Sequence, residues 1–134
     1  MFDIWSFVRV TAFALLYAGI ELRYVNRRDA EWTKSVEGFT EKPAVWKLLP
    51  YHVFFLLPLF VIAGFALPVT AWAGNVLWIV LLEDVAYFVW RGRWVMSGEW
   101  TTTLLGSFRL GGRLVSGWWV PMALLVLALY WVPF

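Results

Sequence analysis

Glu83 and Asp84 stand side by side within an otherwise apolar run, about Ala71 to Trp90. An Asp inside a membrane-spanning helix costs about 2.5–3.5 kcal/mol on the insertion scale, so it is expected to face other helices and to have a partner. Counted back from Trp90, the pair lies roughly 9–10 Å inside the end of its run, at a rise of about 1.5 Å per residue. That depth is too great for short side chains to reach water unaided. Successive helical positions point about 100° apart, so the two carboxylates address two neighbouring helices or one shared polar pocket.

Helical spacing supplies candidate partners. Tyr87 is four residues from Glu83 and three from Asp84, and Arg91 is four from Tyr87 and seven from Asp84, which draws a polar stripe toward one membrane face. His52 and Glu21, at the ends of two other apolar runs, fall at that same face. The candidate site is therefore Glu21, His52, Glu83, Asp84, Tyr87 and Arg91, with no residue assigned a catalytic role. Two adjoining acids in a dry setting do not both ionise easily and can share a proton. Such a cluster suits proton-coupled movement of a cation or small substrate, general acid chemistry on a lipid, or the cross-linking of helices.

Other chemistries lack their residues. With no Cys, disulfides, thiolate metal sites and Cys nucleophiles are excluded. A divalent cation on Glu21, His52, Glu83 and Asp84 is chemically sensible, but no H-x-x-x-H or E-x-x-H pair is present. The single His reads as a hydrogen-bonding residue near the interface, and neither metal nor cofactor is expected. Gly111-Gly112-Arg113 lacks the strand and spacing of a phosphate loop, and no Ser sits in a G-x-S-x-G elbow. The six residues Glu83-Asp84-Val85-Ala86-Tyr87-Phe88 resemble the E-E-x-x-F-F run of membrane-embedded carotenoid cyclases, departing from it at Asp84 and Tyr87. The resemblance implies isoprenoid chemistry.

The elements that must position these residues are set by composition. Of 134 residues 62% are hydrophobic and 15% charged, against about 45–50% and about 25% in a soluble domain. Eleven Trp, five Tyr and eleven Phe cannot be hidden in a particle of this size that also presents a polar surface. Lipid is the expected solvent. Four runs approach the roughly 20 residues needed to cross about 30 Å of hydrocarbon: about 4–20, 50–69, 71–90 and 114–134, the last being shortest if Trp118 is its true start. The first has neither a basic leader nor a small-residue cleavage pattern and reads as a retained helix.

Charge then sets orientation. Six basic residues lie in Glu21 to Lys47 and four in Arg91 to Arg113, which a four-span threading puts on one side, leaving only Arg9 on the other. By the positive-inside bias both basic segments are cytoplasmic and both termini outside. Trp5, Trp72 and Trp131 fall at the outer boundary and Trp46, Trp90, Trp94, Trp118 and Trp119 at the inner one, as an aromatic belt requires. Arg9 is close enough to the outer end to snorkel. Pro58 falls in mid-span and is expected to bend the second helix. Trp94 to Leu114 mixes apolar and basic residues and suits an interfacial amphipathic segment, with Gly111 and Gly112 turning it into the fourth span.

The expected fold is an all-α integral membrane four-helix bundle, N-out and C-out, forming one domain in the cytoplasmic membrane of a prokaryote. The expected function is that of a membrane-embedded subunit or helper, packing as a homo-oligomer or in a larger membrane complex within the lipid bilayer, with no nucleic-acid partner. The alternatives are a small proton- or cation-linked transporter using Glu83, Asp84 and His52, and an intramembrane enzyme acting on a lipid or isoprenoid.

Overall fold

A computed structural model describes residues 3–25, 52–103 and 105–132. Most of the first hydrophilic segment, with Trp46, lies outside the described residues. Helix α1 spans Ile4–Ile20 and opens on Asp3, whose carboxylate accepts the Trp5 N–H at 3.0 Å and so satisfies one of the donors that a helix start leaves without a partner. The helix runs on through a π-helical turn, Glu21–Val25.

Helix α2, Leu57–Ala63, is preceded by a π-helical turn over His52–Leu56. Pro58, expected in mid-helix, thus sits in the first α-helical turn, where its missing N–H costs nothing; the hydrogen-bonding pattern changes at the proline. Gly64 ends α2, its N–H bonding to Phe60 O at 2.8 Å. A Cβ there would come within 2.8 Å of Val76 Cγ2, so only glycine lets the chain turn this tightly against α3, Val69–Arg91. Helix α3 stops at Gly92, which takes up a left-handed conformation with φ of 74°.

A helical turn α4, Trp100–Thr103, follows, then an antiparallel hairpin of β1, Ser107–Leu110, and β2, Arg113–Ser116, and finally α5, Trp119–Trp131. The hairpin corrects the all-α reading. The structure is mostly helical with a small two-stranded sheet. Gly111 and Gly112, with φ of 55° and 80°, do not lead into a fourth span but close a two-residue loop in which Leu110 pairs with Arg113, the conformation that the right-handed twist of paired strands favours. Residues 114–116 are spent on the strand, so α5 has 13 residues and extends only about 20 Å. Two helical stretches, Ile4–Arg23 and Val69–Arg91, are long and apolar enough to cross a membrane by themselves.

Helix α3 is the centre of the assembly, packing against α1, α2 and α5. Its buried residues, among them Ile79, Leu81, Glu83, Asp84, Ala86 and Phe88, occupy more than one face because neighbours lie on several sides. One core unites Val10, Ala14, Tyr17, Phe60 and Ile79 from α1, α2 and α3; Tyr17 and Phe60 meet edge to face at 5.4 Å. The other unites Leu81, Phe88, Val95, Trp118 and Trp119.

Polar cross-links fix the helix directions. Near the start of α3, Asn75 is 1% exposed; its Nδ2 donates to Ser6 Oγ of α1 and to Gly64 O after α2, both at 2.9 Å, and its Oδ1 accepts from Tyr130 Oη of α5 at 2.8 Å. One amide thus joins all four long helical segments, with α1 parallel and α2 and α5 antiparallel to α3. Indole N–H groups add further ties: Trp72 to Val61 O at 2.7 Å, Trp78 to Thr11 Oγ1 at 2.9 Å and Trp90 to Leu15 O at 3.0 Å. Replacing Asn75 by Leu removes every one of its bonds and leaves the Tyr130 hydroxyl and Gly64 carbonyl without them, so unfolding in detergent should become easier by about 1–3 kcal/mol, with a smaller loss for Tyr130→Phe.

Candidate functional site

The two adjacent carboxylates of α3 diverge as helical geometry requires. Asp84 turns toward the segment between α3 and α5, and Glu83 toward the end of α1. Asp84 is 4% exposed, and its Oδ2 accepts from Thr101 Oγ1 and from Trp119 Nε1, both at 2.7 Å. Thr101 is the hub of the cluster: it also accepts from Trp118 Nε1 at 2.9 Å, and Ser116 Oγ donates to its backbone carbonyl. Thr101 and Ser116 are wholly buried. The carboxylate of Asp84 therefore clamps α4, β2 and the start of α5 onto α3, closing this end of the molecule with a cap.

Backbone packing positions the donors. Gly117 lies against Leu105 O so closely that a Cβ would overlap it, which brings β2 back over α4. Gly117 N–H also bonds to Gly106 O at 2.9 Å. Trp94 Nε1 donates to Leu114 O at 2.6 Å, and its ring meets that of Trp119 edge-on at 5.8 Å. Both Asp84 donors thus come from residues fixed by hydrogen bonds or ring contacts of their own.

Glu83 is 8% exposed, and its Oε1 has no hydrogen-bond partner among the described residues. The carboxyl of Glu21 lies beside it. Tyr87, one turn on, is half-buried and meets Phe88 edge-on at 5.6 Å.

Arg91 does not complete the expected stripe to Asp84. Gly92 reverses the chain, and Arg91 forms a two-pronged ion pair with Glu99, Nη1 to Oε1 at 2.6 Å and Nη2 to Oε2 at 3.1 Å, while its guanidinium lies over the Phe88 ring at 4.7 Å. Partial burial acts to raise the Glu99 pKa. The hydrogen bonds from Arg91 and the Met96 N–H, with the charges of Arg91 and Arg93, outweigh it and hold the group below the ordinary glutamate value. The stabilisation this gives the clasp is fully present above the ordinary glutamate value and is lost as the pH falls through the lowered pKa of Glu99.

Of the six residues singled out by sequence, Glu21 and Glu83 come side by side, Asp84 turns away to Thr101 and Trp119, and Tyr87 and Arg91 lie on the same stretch of α3, with Arg91 engaged by Glu99. The His52 side chain lies outside the described residues. Thr101, Ser116, Trp118, Trp119 and Glu99 were not legible as site residues. The one available signal was the Gly-Gly pair at the centre of Ser107-Phe-Arg-Leu-Gly-Gly-Arg-Leu-Val-Ser116, a hairpin pattern that folds Ser116 back over Thr101. Among the described residues no three His, Cys, Asp or Glu side chains are placed to hold a metal ion. No family model, characterised protein or solved structure matches the chain.

Two substitutions separate the roles of donor and charge at the clamp. Trp119→Phe deletes a donor together with part of a buried ring and should destabilise the fold by at least about 1–2 kcal/mol, whereas Asp84→Asn keeps an acceptor oxygen and should cost less. Thermal unfolding in detergent, followed by tryptophan fluorescence, reads both.

Proposed function

We propose that this chain is a small polytopic protein of a prokaryotic cytoplasmic membrane, with four spans and both termini outside, that serves as a membrane-embedded subunit packing with a second copy of itself or with a larger membrane complex. Helices α1 and α3 have the length and hydropathy of spans, and in this reading α2 and α5 are the shorter pair leaning on α3. The observation that carries the proposal is a lateral groove of about 360 Å³ between α3 and α5. It is lined by Trp78, Leu81, Leu82, Val85, Trp119, Val120, Ala123 and Leu124, with no ionisable side chain among them. Helix association in lipid is driven by close van der Waals packing, and a groove with Ala123 in its wall admits a helix closely.

The chain has no native cysteine, so single thiols report without interference. A benzophenone carried on a cysteine at Val85 or Leu124 should cross-link in native membranes to a second copy or to another membrane protein. A probe at Ile62, exposed on α2, should not. Uncross-linked monomer at all three positions would overturn the proposal.

Glu83 favours a second reading, proton-linked transport. Glu83 Oε1 is a buried oxygen without a hydrogen-bond partner among the described residues, and Glu21 lies beside it, so a proton held between the two carboxyls would satisfy it. A pair that takes up and releases a proton is what such transport needs. Reconstituted vesicles containing a trapped pH dye should then show proton flux that Glu83→Gln abolishes; wild-type vesicles no leakier than empty ones would end this reading.

A further inference from the structure

The end of the molecule opposite the cap holds a second polar feature that the functional reading does not use. A cleft of about 490 Å³ opens between the start of α1, the link from α2 to α3, and the end of α5. Arg9 and Asp3 both line it. Arg9 Nη2 donates to Phe65 O at 2.6 Å and lies 3.4 Å from Ser6 Oγ, while its Nη1 and Nε donors have no partner among the described residues. Asp3 spends Oδ1 on the Trp5 N–H. The ion pairs among the described residues are those of Glu99 with Arg91 and Arg93 at the other end, so Asp3 and Arg9 carry opposite charges in one cleft without neutralising each other.

We propose that this cleft binds the headgroup of an amine-bearing phospholipid, its phosphate on Arg9 and its ammonium on Asp3. A guanidinium with free N–H groups recognises phosphate oxygens through charge-assisted hydrogen bonds. The carboxylate of Asp3 repels a headgroup of net negative charge and attracts a primary ammonium, so the pair selects a zwitterion. The floor is already satisfied, since Asn75 and Tyr130 bond to each other, which leaves the two charged groups to recognise the ligand. Exposed Trp5, Phe65 and Leu67 line the same cleft with apolar surface, which suits an acyl-bearing ligand better than a free phosphate ester. The ends of spanning helices lie at headgroup level, so the inference rests on α1 and α3 crossing the membrane, but not on any oligomer.

The test uses the full chain in detergent, titrated with dioleoyl phosphatidylethanolamine, phosphatidylglycerol or phosphatidylcholine, or with soluble phosphoethanolamine, and read by native mass spectrometry and thermal unfolding. Wild type should retain phosphatidylethanolamine about tenfold better than the other two lipids, the scale of one charge-assisted hydrogen bond. Asp3→Asn keeps the helix cap, since asparagine caps as well as aspartate does, and should erase the preference over phosphatidylglycerol. Arg9→Lys should weaken all three lipids. Equal retention of the three lipids by wild type, or an unchanged preference in Asp3→Asn, overturns the proposal, as does full stabilisation by phosphoethanolamine alone. Carbonate extraction of the same membranes reports separately whether the chain is integral, so failure of the spanning reading is distinguishable from failure of the cleft.

Discussion

A carboxylate buried in an apolar setting has to be supplied with hydrogen-bond donors, and the architecture around Asp84 follows from that requirement. The α3 backbone cannot supply them, because its N–H groups are committed within the helix. Thr101 and Trp119 can, but only if the chain leaving α3 doubles back. Gly92 allows the reversal, Gly111 and Gly112 allow the hairpin, and Gly117 allows β2 to lie on Leu105. Removing one partner of such a bond leaves a buried group to bear its desolvation alone, which is why the cap and the bundle are expected to hold together as a unit.

The same rule acts at the far end of α3 through Asn75. Its amide has both donors and an acceptor, so it can reach α1, the end of α2 and α5 at once, which a carboxylate could not do. The indole groups extend the pattern. A tryptophan brings a large apolar ring and a single donor, and Trp72, Trp78, Trp90, Trp94, Trp118 and Trp119 each place that donor on a neighbouring segment or element. Trp78, bonded to Thr11 in the middle of α3, is a helix cross-link.

Helical character was legible because hydropathy and helix length are local properties. Burial of Glu83 and Asp84 was legible from the cost of leaving a charge in lipid. Their partners were not. Thr101 is 17 residues and Trp119 35 residues from Asp84, and such pairings are set by tertiary packing that periodicity does not encode. The hairpin was hidden because Leu114 and Val115 continue the apolar run into Trp118 and Trp119, so strand and helix read as one span. Arg91 sat at helical spacing from Asp84, yet a bidentate carboxylate eight residues downstream, reachable once Gly92 turns the chain, is a closer and better oriented partner.

Between the two polar ends, Val10, Ala14, Phe60 and Ile79 are each no more than 2% exposed. Asn75 and Glu83 are eight residues apart on α3, about 12 Å along its axis. Val10, Ala14, Phe60 and Ile79 thus form a short apolar plug that separates the Asn75 end of α3 from the Glu83–Asp84 end.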